Sequence, residues 1–314
     1  MKLIYISSSQ FSGTTLLSFL LNTHSQVATI GHTTGWRYAA DDDFRCSCGE
    51  RIRTCPLFRE VALAFSAHGL PFDPTDFGTA FRLSSIERLN QLLTGPIPGF
   101  RSTVFERLRD SIVERFPAAR DRLRQQEEAN RVLMSTVLEH SAANVYVDNS
   151  HSPYRLLRLA RNVADEIFPI HLIRDPRGVA LSMVTNSGFS IDGAIRSWLR
   201  HQQNIVRIYS SLDRSLMVQY EALCNSPNEI LADVHHWAGL PAEPFAGNFK
   251  STEHHILGNR MRNVSSNIRL DERWRNDLDA SSRLKIERYL KRYCDRQPDS
   301  PLVRVIDAYL NNTS

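Results

Sequence analysis

The chain reads as an α/β protein of three layers, with a central, mainly parallel sheet and a helical insertion. Three observations predict this. Short apolar runs of strand composition recur at residues 3–6, 27–30, 145–147, 167–173 and 216–220. Most of these runs lead into helical periodicity instead of a tight hairpin turn, which is the grammar of parallel strand–helix–strand units. Between Phe58 and Ser141 the strand signal stops, and apolar and charged residues alternate at three- and four-residue spacing.

The first strand, LIYI, is too short for a helix and is cut off by serines. Past a polar turn, Leu16, Leu17, Phe19, Leu20 and Leu21 crowd too densely for a one-sided surface helix, so the helix opening at Thr14 is mostly buried. A helix start leaves backbone N–H groups unpaired and carries partial positive charge, which suits an anion, above all a phosphate. Ser12, Thr14 and Thr15 add hydroxyl donors there, and Gly13 lets the backbone approach a ligand closely. These four residues form a candidate phosphate loop. The plainer alternative is a strand-to-helix turn in which Ser12 or Thr14 caps the helix. The pattern GxxxxGK[ST] is not matched, because Ser8 stands at its first glycine and Thr14 at its lysine, which counts against a kinase or ATPase.

The second strand, residues 27–30, delivers His32 just past its end, where ligands of open parallel sheets sit. A neutral imidazole accepts a hydroxyl proton near pH 7, so His32 is a candidate general base; a loop histidine with a structural hydrogen bond is the alternative. Next comes CSCGERIRTC. Cys46, Cys48 and Cys55 are spaced either as half a zinc site, needing a fourth ligand from elsewhere, or for a disulfide. No metal is assigned to the site residues on this spacing alone. The insertion over residues 58–141 is carried by SSIERLNQLL, FERLRDSIVERF and DRLRQQEEANRVLMSTVLEH, with GPIPGF breaking the series.

The strand at 145–147 runs into a polar turn holding His151, and a helix then begins near Pro153 with Ser152 as its cap. Residues 167–173 end in Arg174, Asp175 and Pro176. An arginine at a strand end can hold a phosphate bidentately, and Ser182 supplies a hydroxyl from the helix that follows, while Arg177 turns to solvent. The last core strand covers 216–220, and 227–240 reads as a capped amphipathic helix. In HHILGNRMRN, Gly258 and Asn259 suggest a turn, and Arg260 and Arg262 suit an anion. Helices from Asp279 onward read as packing with charged outer faces.

Two of these stretches carry a family resemblance. SSSQFSGTTLLSFLLNTH resembles the 5′-phosphosulfate loop of sulfotransferases that use 3′-phosphoadenosine 5′-phosphosulfate (PAPS), in which (P)(R/K)SGTT opens the first helix. HLIRDPRGVALSMV resembles the 3′-phosphate motif of the same family, and the likeness continues in patches through CSCGERIRTCPLF, DNSHSPYRLL, VQYEALCNSPNEIL, HHILGNRMRN and LDERW. The resemblance implies a P-loop-like fold and one sulfotransferase-like domain over residues 1–314. It also implies transfer of a sulfonate group from PAPS to a hydroxyl, or less readily an amine, of a small-molecule, carbohydrate or lipid-like acceptor, with 3′-phosphoadenosine 5′-phosphate as product. Carried over residue by residue, Ser12, Gly13, Thr14 and Thr15 bind the 5′-phosphosulfate, Arg174 and Ser182 the 3′-phosphate, and Arg260 or Arg262 closes over the same phosphate. His151 stands where relatives carry a lysine, as a cationic or hydrogen-bonding helper. The chain departs from the pattern at Gln10 and Phe11, where the family has Pro followed by a cation that touches the leaving oxygen. His151, backbone N–H groups and the helix start are the substitutes. A phosphoryl transferase and a nucleotide-binding protein of this fold without catalysis are the alternative readings.

Composition sets the outer bounds. With 42% hydrophobic and 23% charged residues over 314 positions, the chain has material for a large core. No apolar run is long enough to span a bilayer, and the first residues read as a strand and not a leader, so a cytoplasmic protein is expected. A net charge of +4, with cations spread along the chain, does not suggest a nucleic-acid partner. Lysine occurs only at Lys2, Lys250, Lys285 and Lys291, which leaves few for catalysis.

Overall fold

In this computed structural model residues 1–35, 43–97, 103–245, 247–249, 255–258 and 267–311 are described. Strands β1 (Lys2–Ser7), β2 (Val27–Ala28), β3 (Val145–His151), β4 (Glu166–Ile173) and β5 (Leu216–Gln219) form one sheet in the order β2-β3-β1-β4-β5. Every pairing in it is parallel, with Ile4 of β1 opposite Val147 of β3 and Phe168 of β4. Side chains alternate between the two faces of a strand. Leu3, Tyr5, Ala28 and Tyr146 therefore enter one core, and Ile4, Ile6, Val27, Val145 and Val147 the other. Both faces are covered, which is why these strands read as unbroken apolar runs in the sequence.

Helices α1 (Thr14–Leu21), α9 (Tyr220–Asn225) and α10 (Pro227–Trp237) close one face, the second of those two cores. Helices α2 (Pro56–Ala67), α5 (Pro117–His140), α6 (Pro153–Asn162) and α8 (Ile191–Tyr209) close the other. This is the three-layer α/β architecture. A third cluster at the end of β4 joins α7 (Pro176–Ser187), the first half of α8, α11 (Trp274–Asp277), α12 (Ala280–Arg296) and α13 (Leu302–Asn311). Helices α3 (Glu87–Thr94) and α4 (Val104–Val113) stand with α2 and α5 between β2 and β3. They bury little, leaving Ile86, Leu92, Val104 and Leu108 more than half exposed. No helix among the described residues is long and apolar enough to cross a membrane.

Three findings depart from the sequence reading. β3 runs on to His151, through residues read there as a polar turn. Helix α8 was not anticipated, although Ala194, Ile195, Trp198, Ile205 and Ile208 line its buried side. Its stripe is interrupted by Gln202, which is itself fully buried because its side-chain oxygen meets His171 Nε2 at 2.5 Å. Arg177 does not face solvent. It is buried against Asp175, donates to the Tyr309 carbonyl at 2.6 Å and lies 3.9 Å over the Trp274 ring, so the third core encloses a satisfied ion pair.

Candidate active site

The connection from β1 leads through α1 to β2 on one side of the sheet, whereas β3 crosses past β1 to β4 on the other. The order reverses at β1, and the carboxyl ends of the strands open a crevice there. The loop after β1, His32 after β2, His151 at the end of β3 and Arg174 after β4 all lie at that end of the sheet. Of the residues singled out in the sequence, Arg260 and Arg262 lie outside the described residues.

In the loop after β1, Ser8, Ser9 and Ser12 are fully buried, and the hydroxyls of Ser9 and Ser12 are 2.8 Å apart. Thr14 and Thr15 open α1 and are also buried. No side chain caps this helix, so the capped-turn alternative for Ser12 and Thr14 does not describe it. Gly13 has φ of 91°, which favours glycine, but its missing side chain is not what lets a ligand approach. A Cβ there would come within 2.4 Å of Tyr220 Cδ2; the ring of Tyr220 fills the space. Across the crevice, Asn149 Nδ2 donates to Ser18 Oγ at 2.7 Å and ties α1 to β3.

The two histidines come together, with ring centroids 5.4 Å apart. Burial lowers His32 to about 4, against the opposing pull of the Asp148 carboxylate. Burial first, and the neighbouring His32 and His201 next, lower His151 to about 3. Burial thus favours the neutral form of both rings, which suits the hydrogen-bonding role for His151 better than the cationic one. His151 Nδ1 lies 2.7 Å from Ser8 Oγ, and Ser8 in turn donates to the Ser9 carbonyl at 3.0 Å. With the Ser8 proton on the Ser9 carbonyl, Nδ1 carries the imidazole hydrogen and Nε2 the lone pair; with that proton on Nδ1, Nε2 carries the hydrogen. Phe11 (φ 60°) and His151 (φ 65°) are two of three non-glycine residues with positive φ among the described residues, so unusual backbone gathers at this site.

Arg174 is buried, stacks 4.5 Å over the Tyr220 ring and donates to the Phe11 carbonyl at 2.8 Å. It also pairs with Asp271 at 3.0 Å, and Arg273 chelates the same carboxylate through both oxygens. The Arg273 contact first, and Arg174 next, hold Asp271 well below the usual carboxylate range, so it stays ionised. Ser182 gives its hydroxyl proton to the Gly178 carbonyl at 2.9 Å within α7. The sequence reading overlooked Asp148, fully buried and paired with Arg155 at 3.0 Å, and Tyr220 and Asp271, which hold Arg174. An aspartate ending the apolar run VYVD was the available signal for the first; the other two lie in the family-like stretches VQYEALCNSPNEIL and LDERW, whose likeness did not single them out.

A cavity of about 250 Å³ is lined by Thr34, Ser150, Ser152 and Tyr154 and, from the insertion, by Asn90 and Glu106, with neither histidine nor Arg174 in its wall. Thr34 is two residues past His32, and Ser150 and Ser152 flank His151. Ser150 Oγ and Asn149 Oδ1 are buried without a hydrogen-bond partner, which suits a polar ligand at this end of β3.

The crevice of this α/β protein brings together an uncapped helix start, a buried arginine at a strand end and two buried histidines. Residues 88–244, half of the chain, match the model of the sulfotransferase family, and the chain belongs to that family. The match takes in His151, Arg174 and Ser182 but stops short of the loop after β1 and His32. No curated protein matches it in sequence. Among solved structures, the sulfotransferase domain of the olefin synthase of Synechococcus PCC 7002 is 15% identical, with 92% of this chain and 94% of that chain covered at a TM-score of 0.44. The sulfotransferase domain from the curacin biosynthetic pathway is 18% identical, with 92% and 96% covered at 0.45. Sulfotransferase STF1 from Mycobacterium tuberculosis H37Rv is 18% identical, with 77% and 68% covered at 0.40. Likeness at that level carries nothing to the site.

Proposed function

We propose that this chain moves a sulfonate group from PAPS to a hydroxyl of a small-molecule, carbohydrate or lipid-like acceptor. The observation that carries the reading is the meeting, at one sheet end, of the uncapped start of α1, the buried Arg174 and the pair of neutral histidines. When bound, PAPS supplies an activated sulfur and a phosphate leaving group. Ser12, Thr14, Thr15 and the N–H groups opening α1 bind the 5′-phosphosulfate, where helix dipole and hydroxyl donors favour negative charge. Arg174 and Ser182 bind the 3′-phosphate, with Arg260 or Arg262 beside them. Arg174 then shares or exchanges its Asp271 partner, and Ser182 turns its proton away from Gly178. His32 takes the acceptor's proton as the new S–O bond forms and the bridging bond to the leaving phosphate breaks. His151, anchored on Ser8, packs beside that base. Arg174, bonded to the Phe11 carbonyl, puts positive charge against the loop where the family's own cation is missing. The acceptor occupies the cavity lined by the insertion.

Calorimetry tests the donor. 3′-Phosphoadenosine 5′-phosphate should bind about 10- to 100-fold more tightly than 5′-AMP, the worth of a charge-assisted contact to a buried guanidinium, and Arg174→Ala should abolish the difference. Equal affinities on the wild type would remove the PAPS assignment. Sulfonate transfer to a panel of hydroxyl acceptors then separates an enzyme from a protein that only binds the nucleotide.

A further inference from the structure

The three cysteines of CSCGERIRTC acquire a fourth companion in the folded chain. Cys46 Sγ lies 3.7 Å and Cys55 Sγ 2.9 Å from His255 Nδ1, and Cys48 Sγ lies 3.8 Å from Cys55 Sγ. All four donor atoms are within 4.8 Å of one another. Cys46, Cys55 and His255 are buried, and Cys48 is partly so. A tetrahedral ion with Zn–S of about 2.3 Å and Zn–N of about 2.05 Å has edges of about 3.8 Å between sulfurs and about 3.5 Å from sulfur to nitrogen. Two of the three measured separations already match, and the third needs the ring to withdraw by about 0.6 Å on that geometry. A disulfide would need its sulfurs at about 2.05 Å and would leave two of the four groups without a role.

The backbone around these residues is already arranged as a clasp. The Cys46 and Glu50 backbones bond at 2.9 Å, and the Gly49 N–H turns back to the Cys46 carbonyl at 3.0 Å, with Gly49 at φ 92° closing a tight knuckle. Ser47 Oγ accepts from the Ile256 N–H at 2.7 Å and draws the segment 255–258 onto this knuckle. The His140 ring packs edge-on to His255 with centroids 5.2 Å apart, and is itself held by Glu60 at 2.8 Å. Beyond His255, the Leu257 N–H donates to the Ile30 carbonyl at 2.9 Å, and a Cβ on Gly258 would touch Thr15 Oγ1 at 3.0 Å.

We propose that Cys46, Cys48, Cys55 and His255 Nδ1 bind one Zn²⁺ with four protein ligands, and that this ion fastens segment 255–258 against β2 and the start of α1. Three thiols release their protons on binding. Four protein ligands leave no open position, so the ion is structural, and sulfur with imidazole in a tetrahedron selects zinc over the oxygen-seeking cations. The ion closes a loop of 200 residues between Cys55 and His255, so it restrains the unfolded chain as well as the folded one. This inference stands on the four ligands and does not depend on the transferase reading.

Metal analysis of the full chain, purified without chelator, should find about one zinc per chain. Titration of the unfolded protein without reductant should find all five cysteines as thiols. Cobalt exchange should give the visible bands of a tetrahedral thiolate site, which needs no variant. Cys46→Ser and His255→Ala should lose the metal, whereas His255→Cys and the distant Cys294→Ser should keep it. Five thiols with no zinc after incubation with Zn²⁺ would overturn the proposal, as would three thiols, the mark of a disulfide. Zinc retained at full stoichiometry in His255→Ala would overturn the ligand set.

Discussion

Gly13→Ala tests how tightly the loop after β1 is built. At φ of 91° an L-residue with a Cβ loses about 1–2 kcal/mol to the left-handed backbone. The added carbon would also sit 2.4 Å from Tyr220 Cδ2 and 2.8 Å from Cε2, well inside contact distance. Tyr220 cannot easily give way, because Arg174 stacks on it and its hydroxyl donates to the Arg269 carbonyl at 3.2 Å and accepts from the Asp271 N–H at 3.3 Å. Overpacking of this kind adds about 1–3 kcal/mol, so the variant should lose about 2–5 kcal/mol in all. Urea unfolding at pH 7.5 measures the total, and a cycle with Tyr220→Ala divides it. In the Tyr220→Ala background the same glycine change should lose only the backbone share, about 1–2 kcal/mol. An equal loss in both backgrounds would refute the argument that the ring occupies the space of Gly13, and a loss under about 0.5 kcal/mol would refute both parts.

Turnover, if His32 is the base, should stay level from pH 8 to about pH 5 and fall only near its lowered value of about 4, since burial disfavours the imidazolium; a fall already centred at the ordinary 6.5 would contradict the buried pair. Stability should change in the same range, because His32, His171 and His235 are each lowered from 6.5 to about 4 and His151 to about 3, chiefly by burial. The unfolded chain then binds protons first, so this stability is complete above about pH 6.5 and is lost as pH falls toward 4; urea midpoints at pH 7.5, 6 and 5 should decline in that order. Asp148→Asn should lower stability by about 3 kcal/mol, because Arg155 stays buried with its charge uncompensated, though still bonded to the Thr79 carbonyl at 2.6 Å; an unchanged thermal midpoint would show that water reaches the pair.

What was legible in the sequence was local. β1, the serine turn and α1 are contiguous, so strand composition, Gly13 and the leucine cluster announced the loop. Arg174 stood out because it ends an apolar run, and His32 and His151 because each follows one. Their partners were hidden because they come from far along the chain. Tyr220 against Gly13, Asp271 on Arg174 and His255 on Cys55 each join segments that no periodicity or spacing connects. The neutral state of His151 was hidden for the same reason, since it follows from burial and from His32, neither of which a strand-end position reveals. Gln202 shows the converse, a polar residue that breaks a helical stripe yet is buried by one distant hydrogen bond.

The sheet order has a consequence for how the chain is made. β1 is the middle strand, yet its two neighbours are β3 and β4, so it has no place to pair until residues beyond 145 have left the ribosome. At about 5–20 residues per second that wait is on the order of 10 s. Throughout it Ile4, Ile6, Leu16, Leu17 and Phe19, all destined for the core, remain without their final cover. Helices α2 and α5 can pair with each other in the meantime, but the sheet face that they cover is completed only when β3 arrives beside β1. The centre of the crevice therefore waits for residues up to 173, only the edge strand β5 joins later, and chaperones that shield nascent apolar segments should raise the yield of folded protein.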